Sequence, residues 1–143
     1  MTSNPVPPEP TESAASAPLA GIPVLVVEDD PSSARLLSVL LTTEGSDVRV
    51  ARTAEEALAI LQVFPARLII VDLVLPSMSG LVLVQTLKRT PSTRGIIAVA
   101  VSVVDGPEIE RMALESGCVA YLRKPLDIQA VVDTLIANVQ RTT

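Results

Sequence analysis

The chain has 143 residues, 48% of them hydrophobic and 19% charged, with a net charge of −5. This is the length of one domain, with enough apolar content for a core and too acidic a balance for a phosphate-backbone binder. Histidine is absent, which removes imidazole catalysis, a Ser-His-Asp triad and His-ligated zinc; the single cysteine, Cys118, excludes an internal disulfide framework and points to an intracellular chain.

Residues 1–20 hold five of the twelve prolines, with Ser, Thr, Ala and Glu between them. They show no apolar periodicity and are read as a disordered tail before a single domain over 21–143. No basic start and apolar stretch suggests a leader. The apolar run Ile96–Val101 is far short of the ~18 residues of a membrane span. One Phe, one Tyr and no Trp leave no base-stacking platform.

Short apolar runs then alternate with amphipathic stretches. Ile22–Val27 reads as a buried strand that stops at Glu28, Asp29 and Asp30. Asp30 can cap a helix that Pro31 opens and that carries Leu36, Leu37, Leu40 and Leu41. Val48 and Val50 alternate as a second strand. Thr53 and Glu56 form a capping box for a helix with Ala57, Leu58 and Leu61 inward. Leu68–Val71 is a third strand ending at Asp72, followed by a helix over Leu81–Lys88. Ile96–Val101 leads into Ser102, and Asp105 with Glu108 is expected to cap the fourth helix, which Gly117 stops. Val119–Arg123 is a fifth strand before Lys124 and Pro125. Leu126–Val139 is the last helix.

Five such units, with continuous Val/Ile/Leu runs in place of alternation, predict an α/β fold: a doubly wound parallel sheet with helices on both faces. Ligands of such sheets sit beyond the carboxyl ends of the strands. At those ends stand Glu28 and Asp29, then Asp72, Ser102 and Lys124, each set on a different strand. An acidic triplet alone is usually a solvated loop, a lone serine says nothing, and Lys-Pro is often a turn. Their joint placement at one predicted edge carries the argument. Clustered carboxylates suit a hard divalent cation. Asp72, ionised at neutral pH, needs no general base to act as a nucleophile. Phosphoryl transfer to Asp72 fits, with the cation, the Lys124 ammonium and the Ser102 hydroxyl each facing one oxygen.

VLVVEDDP, LIIVDLVLPSMSG, AVAVSV and AYLRKPL together resemble the receiver domain of bacterial two-component response regulators. The resemblance covers about Ile22 to Val139, with 43 residues from Asp29 to Asp72, 30 from there to Ser102 and 22 more to Lys124. It implies a five-stranded sheet of order 2-1-3-4-5. The family's chemotaxis member is a standard example of that order. It implies Asp72 as phosphoacceptor and magnesium (or manganese) as cofactor. Asp29 and Asp72 would be direct ligands, Glu28 a ligand through water and Val74 a ligand by its backbone carbonyl. Ser102 and Lys124 would hold the phosphoryl group, Tyr121 would be the switch aromatic, and Lys124–Pro125 would be cis. Pro76 and Gly80 match the loop after the phosphorylation site.

The resemblance further implies a cytoplasmic switch. Its donor would be a sensor histidine kinase or a histidine phosphotransfer protein. Its downstream protein target would meet the face made by the fourth helix, fifth strand and last helix. With nothing after Thr143, a stand-alone receiver is expected, monomeric or a weak homodimer, not inserted in a membrane. Three features depart from the family's pattern. Val103 follows Ser102, where a small residue is usual. Val74 and Val104 are apolar beside the path of a hydrolytic water, so the aspartyl phosphate is expected to form slowly, to last, or both. The last helix lacks the charged pattern of receivers that dimerise on DNA, which weighs against a nucleic-acid role. The alternative is a pseudo-receiver that binds partners without phosphate. An aspartate-nucleophile phosphatase would need a second Asp at position 74, which is Val.

Overall fold

The computed structural model describes residues 17–76 and 78–141. Its strands are β1 (Pro23–Val27), β2 (Asp47–Ala51), β3 (Leu68–Asp72), β4 (Ile97–Ser102) and β5 (Ala120–Arg123). The helices are α1 (Pro31–Thr43), α2 (Ala54–Leu61), α3 (Gly80–Arg89), α4 (Pro107–Ser116) and α5 (Ile128–Arg141). All strand pairs are parallel, in the order β2-β1-β3-β4-β5. The doubly wound sheet and its strand order are thus as expected from the sequence.

Two cores explain the continuous apolar runs. On one sheet face, Leu25, Val27, Ile69, Val71, Ala98 and Ala100 pack with Leu83, Val84 and Leu87 of α3 and Ala113 of α4. On the other, Val24, Val26, Leu68, Ile70 and Val99 pack with Leu37 and Leu41 of α1 and Val131, Leu135 and Val139 of α5. Strand side chains alternate between faces, so a strand covered on both sides must be apolar at every position. The edge strand β2 is exposed at Asp47 and Arg49 and reads as alternating.

Helix starts follow the capping chemistry, with one correction. Asp30 Oδ2 accepts from Ser33 N–H at 3.0 Å and Thr53 Oγ1 from Glu56 N–H at 3.0 Å, each satisfying an orphan donor of the first turn. Asp105 does not cap α4. The cap position is Gly106, with φ 125°, and Pro107 opens the helix. Asp105 stands one residue too early, and its carboxylate instead lies 2.5 Å from the Arg123 guanidinium on β5.

The tail expected over residues 1–20 overlaps the described residues only at 17–20. Residues 1–16 lie outside the described residues, but Leu19 is fully buried in the α1/α5 core. Ser46 Oγ donates to the Leu19 carbonyl at 3.0 Å, and Gly21 N–H to Gly45 carbonyl at 2.8 Å. A single apolar side chain with two hydrogen bonds is enough to tie this turn to the start of β2. Among the described residues, no helix is long and apolar enough to cross a membrane.

Candidate functional site

The ladder bonds run to the last residue of each strand and so set the site's frame. Glu28 N–H donates to Ala51 carbonyl at 2.9 Å, Leu73 N–H to Val101 carbonyl at 3.0 Å, and Lys124 N–H to Ser102 carbonyl at 2.8 Å. Glu28, Asp72, Ser102 and Lys124, read separately from four strand ends, therefore share one edge of the sheet. Glu28, Asp72 and Ser102 are buried there, while Asp29 is exposed beside them.

Lys124 bridges the two buried acids. Its Nζ lies 2.7 Å from Glu28 Oε1 and donates to Asp72 Oδ2 at 3.1 Å. The remaining carboxylate oxygens take backbone donors. Asp30 N–H reaches Glu28 Oε2 at 3.1 Å and Val74 N–H reaches Asp72 Oδ1 at 2.9 Å. Glu28 Oε1, although close to the ammonium, has no donor aligned on it as a hydrogen bond, and it is sealed from water.

The electrostatics follow from this crowding. Burial, then a hydrogen bond to Asp72, pushes the Glu28 carboxyl up to about 7, with Lys124 opposing. Burial pulls the Lys124 ammonium down, but its bonds to Glu28 and Asp72 outweigh that and leave it raised. Burial and the neighbouring Asp72 thus outweigh the single lysine, and the Glu28 carboxyl sits above the usual carboxylate range.

The donor set fits a hard divalent cation. One oxygen each from Glu28, Asp29 and Asp72 lie within 4.8 Å of one another. Magnesium favours such carboxylates together with waters, and the unaligned Glu28 Oε1 is an acceptor still to be satisfied. Among the described residues, this is the group of acidic side chains so arranged.

Ser102 Oγ accepts from Val104 N–H at 3.1 Å, which orients the hydroxyl and leaves its own proton to donate. The Tyr121 hydroxyl donates to the Val104 carbonyl, so β5 holds the segment after Ser102. The Lys124–Pro125 peptide is cis. After Asp72 the chain turns back through Gly80, whose N–H donates to Leu73 carbonyl at 3.1 Å. Val74, Val103 and Val104 are exposed around the site, at 57%, 68% and 42%. The Arg123–Asp105 pair, a second tie from β5 to the segment after Ser102, carries no sequence signal. Two exposed residues of opposite charge 18 positions apart look like ordinary surface.

Comparison with known proteins agrees with this geometry. The family model for the response regulator receiver domain matches residues 24–136. An uncharacterized 14.6 kDa protein of Leptolyngbya boryana is 37% identical over 109 residues, covering 76% of this chain and 83% of that one. Response regulator PleD of Caulobacter vibrioides is 36% identical over 104 residues, covering 73% of this chain but 23% of PleD, so the likeness concerns one part of a longer protein. The solved chemotaxis response regulator CheY4 of Vibrio cholerae superposes with a TM-score of 0.77 at 26% identity, over 84% of this chain and 99% of that one. With the fold, the strand-end acids and these matches in agreement, the chain belongs to the response regulator receiver domain family.

Proposed function

We propose that this chain is a phosphoacceptor switch in which Asp72 takes a phosphoryl group from a phosphohistidine of a sensor kinase or phosphotransfer protein. An Asp72 oxygen forms the new P–O bond as the P–N bond breaks, and the departing imidazole takes a proton from solvent. Asp29, Asp72, the Val74 carbonyl and, through water, Glu28 would hold magnesium or manganese. When bound, that ion neutralises charge on a phosphoryl oxygen.

The chain's own groups do the rest. Lys124, placed between Glu28 and Asp72, pairs with a second phosphoryl oxygen. The Ser102 hydroxyl, oriented by Val104 N–H, donates to a third. Moving a switch from mostly off to mostly on takes ~5.5 kcal/mol, and two or three charge-assisted hydrogen bonds at ~1.5–3 kcal/mol each reach that sum. As Ser102 is drawn to the phosphoryl group, its bond to Val104 weakens, and Tyr121 loses its partner on that segment. The α4–β5–α5 face then presents a changed surface to a downstream protein.

The observation that carries this reading is the Lys124 ammonium set between two buried carboxylates, Glu28 and Asp72, at the edge where Asp29 also stands. The test is intact-mass spectrometry after incubation with a small phosphodonor. A gain of one phosphoryl group, requiring magnesium and lost in Asp72→Asn, is expected. An unchanged mass with magnesium present overturns the reading and favours a partner-binding module that never carries phosphate.

A further inference from the structure

A groove of about 310 Å³ lies between α1 and the end of β2. Ala34, Val39 and Val50 give it apolar walls, and Val39 is 54% exposed. Arg35 and Arg52 also line it. Among the described residues, neither guanidinium has an ion-pair partner. Two free cations on an apolar floor, in a chain of net charge −5, fit an acidic segment with apolar residues between its charges.

The chain's own N-terminus has that composition. Residues 5–12 read PVPPEPTE, and Glu9 and Glu12 are the only charged side chains before residue 28. A polyproline II helix repeats every ~3 residues, so in that conformation Val6, Glu9 and Glu12 share an edge. The reach also matches. The chain is tied down at Leu19, beside Ser46. Six residues of strand from Ser46 to Arg52 span ~20 Å, and eight residues of helix from Arg35 to Thr43 span ~12 Å. Counting back from Ala17, five residues to Glu12 reach ~15 Å and eight to Glu9 ~25 Å in polyproline II form. In that form Glu12 reaches past the ~12 Å of Arg35 and Glu9 past the ~20 Å of Arg52, so the segment is long enough for both arginines.

We propose that the groove between α1 and β2 is the seat of the chain's own acidic segment Val6–Glu12, with Glu9 and Glu12 on Arg35 and Arg52. The groove reaches Pro31, next to the acids of the site, so a seated segment flanks the pocket and covers part of α1. A regulatory effect on phosphoryl transfer rests on the reading of Asp72 as phosphoacceptor; the seating itself does not.

The test uses the full chain, isotope-labelled, with a nitroxide on Thr11→Cys; Cys118 is buried and stays unlabelled. Several-fold broadening of the Val39 and Val50 methyl signals is expected relative to the reduced label. It should fall to the level of simple tethering in Glu9→Lys/Glu12→Lys and in Arg35→Glu/Arg52→Glu, and return when both reversals are combined. Broadening that is unchanged by either reversal, or absent from the start, overturns the proposal and leaves the groove to a separate partner. Broadening of an isotope-labelled copy by a spin-labelled, unenriched one places the segment on a second copy and overturns it as well.

Discussion

At Val74 and Val104 the backbone serves the site while the side chains do not. Their N–H groups orient Asp72 and Ser102, at 2.9 and 3.1 Å, and their exposed isopropyl groups offer nothing to hold a water in line for attack. A phosphoryl group on Asp72 is therefore expected to be long-lived. Replacing Val74→Asn places an amide where a water can be held, and it should shorten the acyl-phosphate lifetime several-fold, measured by phosphate release after removal of the donor. A lifetime unchanged or lengthened would show that the valines do not set the rate. Cys118 supplies a prediction away from the site. Burial pushes its thiol up to about 11, against a weaker pull from Lys88. As pH rises above the unfolded value near 9.0, the unfolded chain ionises first while the native chain keeps its proton. Stability therefore falls between that pH and about 11, by an amount on the order of 2–3 kcal/mol. Urea midpoints across this range should drop further in the wild type than in Cys118→Ala; parallel curves would refute the assignment. The polar residues ending β1, β3 and β4 were legible because only apolar residues precede them in those strands. Leu19 was not, since one apolar residue among Pro, Ser and Ala has no period to reveal it.

Elements place these residues by close packing. Gly80 opens α3, capped by Ser79, whose side chain accepts from Val82 N–H at 3.2 Å. A Cβ at Gly80 would come within 2.8 Å of Leu73 Cα and would also meet the Asp72 carbonyl, both backbone atoms that cannot rotate away. Gly80→Ala should cost about 3 kcal/mol, at the upper end for overpacking, and should reduce phosphorylation of Asp72 by moving the strand end that carries it. Thermal unfolding together with the mass assay checks both; wild-type stability and labelling would contradict the account. The elements were the most legible feature of the chain. Two-sided burial writes itself as unbroken Val/Ile/Leu runs, and the caps at Asp30 and Thr53 follow from residue type. The fourth helix stands where expected and stops at Gly117, but its cap differs, because an Asp three residues before a Glu is a valid capping pattern. Pro107 overrides it by fixing the first helical residue, and the freed Asp105 carboxylate finds Arg123 across the sheet edge.

The whole molecule is a frame that brings acids from β1 and β3, a hydroxyl from β4 and an ammonium from β5 to one edge. No local pattern contains that convergence; it follows from parallel pairing, which puts every strand's carboxyl end on the same side. The strand order came from the family resemblance, because apolar runs show that a sheet is parallel and buried but not which strands are neighbours. The remaining step is chemical, from clustered acids to a specific acceptor. Sodium borohydride reduces an aspartyl phosphate to homoserine, so treating the protein after incubation with magnesium and a small phosphodonor, then sequencing its peptides by mass spectrometry, locates the acyl phosphate directly. The account predicts homoserine at position 72 and at no other acid. Homoserine at position 29, 5-hydroxynorvaline at position 28, or unreduced Asp72 in protein that has gained a phosphoryl group, would contradict it.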